Sequence, residues 1–441
     1  MARFVRELSG PEGTGRFGAP ATDLGYPAPT NHGYTITIFG DSFADHVGGA
    51  DWRSPIGFRQ SNQDIENGIV WDNAIGGARA KQMINYRHAG GPDNGRLPDG
   101  FTNIPCDLIH LPDGRYVMTT FAIKSWASVT EGSSWETFHS RMWTSTDTHA
   151  ENWVRSWDLE ADHGNFDFPN AGVWRHFQNN TMLLFPSRDE VYIYGTNSGR
   201  WHGGGIHLAR VDWRRMWERS AYEFLGRDSS GAWGWRRAGH SADPDGRGAD
   251  PSSPIIEPTV PGSAIGELGS QVIDGQVVLS YLDGPLGAVT RTAPAPEGAW
   301  TLPRVQVSWR EEPFLYAPTI HPFSRPERAQ MLLSAWPHDE KGTEFYGVRQ
   351  WEVSLLGITN ADLAASPALA PAVEGLVGAG SLGDGSVGAG PTGEGSAVEG
   401  ARGLLAPELG RLPEADRVAA LAASADDGVQ RDHLEVVLAG G

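Results

Sequence analysis

The chain has little of what several common classes of protein are built from. Cys106 is the only cysteine in 441 residues, which excludes an internal disulfide and a cysteine-based metal site. No apolar run approaches the roughly 20 residues of a bilayer span. The first residues, Met1-Ala-Arg-Phe-Val-Arg-Glu-Leu8, lack the apolar stretch and small-residue cleavage site of an export signal, so a soluble chain without an ordinary signal is expected. Lys and Arg number 35 against 54 Asp and Glu, a formal net charge of -19. Nucleic acid and anionic membranes require a basic face to displace counterions and are not expected partners. No His, Asp or Glu cluster has metal-ligand spacing, and no Gly-x-Ser-x-Gly elbow offers a nucleophile. The glycine-rich stretch from Thr196 to Gly205 is followed by no Lys-Ser/Thr and opens no helix, unlike a phosphate-binding loop. The expectation is a site without metal or cofactor that takes a neutral ligand.

Helical periodicity is scarce before residue 355, whereas Gly (57), Pro (30) and Trp (17) abound, the mixture of many short strands and turns. Asp-Gly between apolar runs marks hairpins at Asp113-Gly114 and Asp274-Gly275, and Ser187-Arg-Asp189-Glu190 marks another turn. Met142-Trp-Thr-Ser145-Thr-Asp147 leading to Trp153 has the flavour of an Asp-box hairpin without its glycine. Together with Val289 to Trp300 and the strand ending through Trp351, these recurrences predict an all-β fold, a five-bladed β-propeller. The competing two-sheet sandwich would be large for one core. The segment from Arg210 to Tyr222 reads as a short helix or an excursion from a blade, and Gly239 to Ser253 as a surface loop. Residues 1–357 form the expected propeller domain. Residues 358–405, rich in Ala, Gly and Pro and without an aromatic, form a flexible linker, and residues 406–441 a segment of short helices that needs a partner to gain order.

The chemistry centres on the stretch from Thr22 to Phe43. Alternation from Tyr34 to Ile38 predicts a strand that Gly40 breaks, presenting Asp41 at its end. Asp23, one turn and one strand earlier, could reach the same pocket, and two carboxylates facing one bond are the minimum apparatus of a glycosidase. Turn capping by Asp23 and local backbone bonding by Asp41 are the competing reading. Arg53 in Asp51-Trp52-Arg53-Ser54-Pro55 could lower the pKa of both carboxylates, and Trp52 and Trp126 offer faces for stacking. Glu267, flanked by Gly266 and Gly269, is a third acid with room for close approach. His321 ends a strand, and Ser334-Ala335-Trp336 follows. The expected substrate-binding set is Arg53, Trp126, Glu267, His321 and Trp336. Repulsion between two carboxylates should raise one pKa and leave the other low, with Asp41 the ionised partner.

In order along the chain, Thr22-Asp23-Leu24-Gly25, Phe39-Gly40-Asp41-Ser42-Phe43, Trp52-Arg53-Ser54-Pro55, Tyr194-Gly195-Thr196 with Arg200, Gly266-Glu267-Leu268 and Ser334-Ala335-Trp336 resemble the endo-D-arabinanase propellers of actinobacteria and their phages, a glycoside hydrolase family. The resemblance covers about residues 8 to 355. It implies a five-bladed propeller that cuts α-linked D-arabinofuranose chains of mycobacterial-type arabinogalactan and lipoarabinomannan, with the acidic pair on Asp23 and Asp41. Ser42 stands where Thr is more usual. A polysaccharide substrate outside the cell, reached by a chain without an export signal, points to a phage protein, a tail component at the virion or cell-wall surface ahead of a lysis factor; a non-catalytic glycan-binding tail propeller and a bacterial protein exported by a non-standard route are the alternatives. The C-terminal segment is then the expected contact to other tail proteins.

Overall fold

The computed structural model describes residues 2–88, 99–125, 135–160, 165–200, 204–237, 250–337 and 339–356. Strand β1 (Arg3–Glu7) is followed by the first sheet, β2 (Ala21–Pro29), β3 (Thr35–Phe43), β4 (Ile56–Gln60) and β5 (Asn73–Ala74). The second sheet holds β6 (Asn103–His110), β7 (Tyr116–Ser125) and β8 (Glu136–Ser145), with β9 (Val154–Arg155) and β10 (Asp167–Pro169) both pairing β8. The third runs β11 (Asn179–Leu184), β12 (Glu190–Thr196), β13 (His207–Asp212), β14 (Glu223–Arg227) and β15 (Trp233–Arg237). The fourth is β16 (Ile265–Ile273), β17 (Gln276–Asp283), β18 (Gly287–Ala293) and β19 (Arg304–Val307). In the fifth, β20 (Leu315–Ile320), β21 (Ala329–Ala335) and β22 (Gly347–Val353) are completed by β1, which pairs β22 antiparallel. The first strands of the five sheets, β2, β6, β11, β16 and β20, each adjoin the next, and β20 returns to β2. The ring closes, and the fold is a five-bladed β-propeller whose last blade borrows its outer strand from the N-terminus.

Successive residues of each strand point to opposite faces of its blade, so one strand feeds two cores. Val191 and Ile193 pack with Ile109, Val117 and Met142 of the second blade, while Tyr192 and Tyr194 pack with Leu268, Leu279 and Tyr281 of the fourth. Leu332 and Val348 meet Phe39 and Phe58 where the fifth blade faces the first. At roughly 25 cal/mol per Å² of apolar area removed from water, these interblade faces are what holds the ring. The predicted turns serve the hairpins: Asp274 and Gly275 both take positive φ (49° and 74°) in the two-residue link from β16 to β17, as a type I′ turn requires. Asp147 accepts amide hydrogens of His149, Glu151 and Asn152, and Ala150 takes the positive φ (54°) of this turn. Arg210 to Tyr222 contains the end of β13 and two short 3-10 turns, Trp213–Arg215 and Arg219–Ala221. Leu355 is buried, and its amide bonds to the Pro326 carbonyl at 2.7 Å. The expected linker and C-terminal helices, and most of the expected loop from Gly239, lie outside the described residues.

Gly40 does not break its strand. β3 runs on through Asp41 to Phe43. The glycine is required sideways instead: a Cβ at Gly40 would stand 2.4 Å from Asp23 Oδ1.

Candidate active site

Four of the five inner strands are irregular near their N-terminal halves. β2 shifts register on both sides of Leu24, β6 between Pro105 and Asp107, β16 between Ile265 and Leu268, and β20 between Tyr316 and Thr319. Bulges re-aim side chains and are frequent beside active sites. Here those of β2, β16 and β20 bring Asp23, Glu267 and Tyr316 together at one end of the axis. Leu24, next to Asp23, has φ +64°, a strained conformation for a branched residue that surrounding bonds must hold. Its carbonyl accepts from Ser334 Oγ at 3.1 Å, and the Gly25 carbonyl accepts from Thr319 Oγ1 at 2.5 Å.

Asp23 and Asp41 are both buried. The Tyr316 hydroxyl donates to Asp23 Oδ2 at 2.7 Å, whereas Asp23 Oδ1 is buried without a partner. Burial, then the charge of Asp41, drives the Asp23 pKa well above the ordinary carboxylate value, against the opposing Tyr316 bond and the Arg200 charge. Trp52 Nε1 and Thr102 Oγ1 both donate to Asp41 Oδ1 at 2.7 Å. Burial raises Asp41 to about 6, and these two donors limit the rise. Both shifts favour keeping a proton within the pair, and Asp23 feels the charge of Asp41 in addition to its burial. Tyr316 occupies Oδ2, which leaves Oδ1 as the oxygen free to carry a proton. The third acid, Glu267, takes two bonds from Arg200 on Oε1, at 2.8 and 2.6 Å. The Arg200 guanidinium lies 4.5 Å from the Tyr316 ring centroid. Among the described residues no group of three or more His, Cys, Asp or Glu could hold a metal ion, and no helix is long and apolar enough to cross a membrane.

The residues that build this site lie within the match to a family defined as a domain of unknown function (DUF4185), which spans residues 9–352. The chain belongs to the DUF4185 family. It is similar to the notoamide biosynthesis cluster protein J′ of Aspergillus versicolor, 28% identical over 72% of this chain and 81% of that protein. It is also similar to an uncharacterized 35.9 kDa protein of Mycolicibacterium smegmatis, 26% identical over 78% and 95%. Among solved structures, the α-L-arabinofuranosidase of Podospora anserina superposes with a TM-score of 0.41 at 9% identity, covering 79% of this chain and 96% of that one.

Not every expected site residue of this DUF4185 chain reaches the pair. Arg53 faces away from both carboxylates: its guanidinium bonds the Gly18 and Ala80 carbonyls and the Asp51 carboxylate, the last at 3.0 Å. Its charge is spent on clamping loops of the first blade, and the groups that steady the Asp41 anion are Trp52 and Thr102. The Trp52 ring is half-buried, with its centroid 5.9 Å from that of Phe43 and 4.2 Å from that of His88. His321 is fully buried, with Nε2 on Gln60 Oε1 at 2.8 Å and Nδ1 accepting the Phe323 amide, and burial lowers its pKa to about 3. It follows directly after β20, five residues beyond Tyr316, and serves the framework. Trp336 is 38% exposed and packs 5.8 Å from Tyr346, a tyrosine whose pKa is raised by burial and then by the charges of Asp23 and Asp41. Trp336 thus stands on the rim of the site. Trp126 lies outside the described residues. The expectation of one low and one raised carboxylate fails as well, since burial acts on both. Tyr316, Thr102 and Tyr346 escape the sequence reading. Tyr316 had a signal in the Ala317-Pro318 that follows it, which disturbs regular pairing.

Proposed function

We propose that the chain is an endo-acting glycoside hydrolase that cleaves internal α-D-arabinofuranosyl linkages of mycobacterial-type arabinogalactan and lipoarabinomannan. The observation that carries the hydrolase reading is the coupled pair: Asp23, pushed well above the carboxylate range with a bare Oδ1, beside Asp41 near 6. Environments that separate an acid from a base among like groups are how glycosidases assign roles. In the proposed step the Asp23 Oδ1 proton passes to the glycosidic oxygen as its bond to the anomeric carbon breaks. Asp41 takes a proton from attacking water or attacks the carbon itself. The rate should climb through pH about 6 as Asp41 ionises and fall at higher pH where Asp23 loses its proton.

The D-arabinan assignment rests on the ordered motif series from Thr22-Asp23 to Ala335-Trp336. A place in a phage tail, with the segment beyond residue 357 as attachment, rests on the same series and on the composition of that segment. Incubation with purified arabinogalactan, with release of arabino-oligosaccharides followed by mass spectrometry, tests the activity. Wild type should release a ladder of internal fragments, and Asp23→Asn and Asp41→Asn almost none. Tight binding without release by wild type would make the chain a glycan-binding propeller instead.

A further inference from the structure

Glu267 is only 3% exposed, yet just half of its carboxylate is used. Oε1 carries both Arg200 bonds, while Oε2 is buried with no partner. Buried polar atoms are nearly always bonded, and an exception in a folded protein calls for the missing partner to be named. The bare Oδ1 of Asp23, once protonated, is a donor without an acceptor, and the proposed step gives that place to the glycosidic oxygen. Glu267 Oε2 belongs to a carboxyl group whose other oxygen pairs with the Arg200 guanidinium, and it meets no donor of its own. The missing partner must be a donor.

The geometry points to Glu267 Oε2 as the receptor for one hydroxyl of the sugar whose glycosidic bond lies between Asp23 and Asp41, with Arg200 as the positioning residue that holds it there. This rests on the reading of the chain as an arabinan hydrolase. Arg200 is itself fixed, because its guanidinium lies over the Tyr316 ring whose hydroxyl bonds Asp23. Acid, brace and receptor form one connected unit. Gly266 makes room for it, since a Cβ there would stand 3.1 Å from both Arg200 Cγ and Leu282 Cδ2. An acceptor with no alternative partner discriminates strongly, because a sugar lacking the matching hydroxyl leaves it bare again.

The test sets the full-length wild type and Glu267→Gln against an arabino-oligosaccharide and a series in which each hydroxyl of the sugar at the cleavage point is replaced in turn by hydrogen. On the parent, E267Q should lower kcat/KM roughly tenfold to a hundredfold, the worth of one hydrogen bond to a charged group. One analogue should cost wild type a similar factor, and on that analogue E267Q should lose less than about threefold more, because the pair is already broken. Losses that multiply on every analogue, or a displaced alkaline limb with no position-specific rescue, overturn the inference and leave Glu267 acting on the Asp23 proton. Should melting show E267Q unfolded, Glu267→Asp replaces it under the same criterion, keeping the charge opposite Arg200 while withdrawing the oxygen. Failure of the underlying reading looks different: wild type then releases nothing from the parent, and both fall.

Discussion

Two buried aspartates on inner strands of this propeller show how one side chain serves structure in one place and chemistry in another. Asp107 of β6 is as buried as Asp23 of β2, and burial raises it to about 7. All of its acceptor demand is met within the fold. Oδ2 takes Thr181 Oγ1 at 2.5 Å and the Met182 amide at 2.8 Å, and Oδ1 takes the Leu108 amide at 2.7 Å. Thr181 in turn meets Ser270 Oγ at 2.8 Å, so Asp107 ties three blades together at mid-depth. Asp23 has one bond, one bare oxygen and a charged neighbour. A raised pKa alone does not distinguish them. The unmet hydrogen-bonding capacity of Oδ1 does, because it is left for a ligand to meet.

The largest expected difference is in turnover. Asp23→Asn and Asp41→Asn should each cost about a hundredfold to ten-thousandfold in arabinan cleavage, the usual worth of a general acid or base. Asp107→Asn, the same chemical change, should leave kcat within about threefold. Reducing-end assays on the three purified variants decide, and a dead Asp107→Asn would erase the contrast.

Stability should move the other way at the site. The folded pKa of Asp41 exceeds its ordinary value, 3.8 rising to about 6, so between about pH 4 and 6 the folded state keeps a proton the unfolded chain has released. Stability therefore falls as pH rises through that window. Asp41→Asn removes this loss and should be more stable than wild type at pH 7 by about 2 to 3 kcal/mol, with the gain vanishing near pH 4. Thr181→Val, which strips a donor from Asp107, should instead lose about 1 to 3 kcal/mol. Denaturant melts at the two pH values read both.

Tyr316→Phe sharpens the role of the single bond to Asp23. That bond lowers the Asp23 pKa, so its removal should push the alkaline limb of the pH-rate profile to higher pH and cost roughly tenfold in kcat. An unmoved limb would mean that Asp23 is not the group that limits activity at high pH. Trp336→Ala should be milder, raising KM on long arabinan a fewfold through loss of an aromatic contact while leaving the limbs in place. The smallest effect is expected from ending the chain at residue 357: if the propeller is complete by Leu355, cleavage should stay within about twofold, and an insoluble or inactive product would move the boundary.

The hairpins, the blades and the two aspartates were legible because their signals are local. Asp274-Gly275 and Asp113-Gly114 declare turns in two residues, and strands such as Gln276–Asp283 declare themselves by composition. The surroundings of the carboxylates were not. Sequence proximity suggested Arg53 as the partner of Asp41, but the Arg53 side chain turns to Gly18 and Ala80. His321, at a strand end, looked available and is a framework residue bonded to Gln60.

What the sequence determined by itself is the all-β architecture and the presence of Asp23 and Asp41 on adjoining strands, since each follows from residue types a few positions apart, and its single cysteine excludes an internal disulfide. What only the tertiary structure decided is which buried polar atoms are satisfied. Tyr316 reaches Asp23 across 293 residues and Arg200 reaches Glu267 across 67, brought together by closure of the ring. A propeller places its inner strands side by side about one axis whatever their separation in sequence. The charge state of each acid is therefore set by burial and by neighbours that no local pattern encodes.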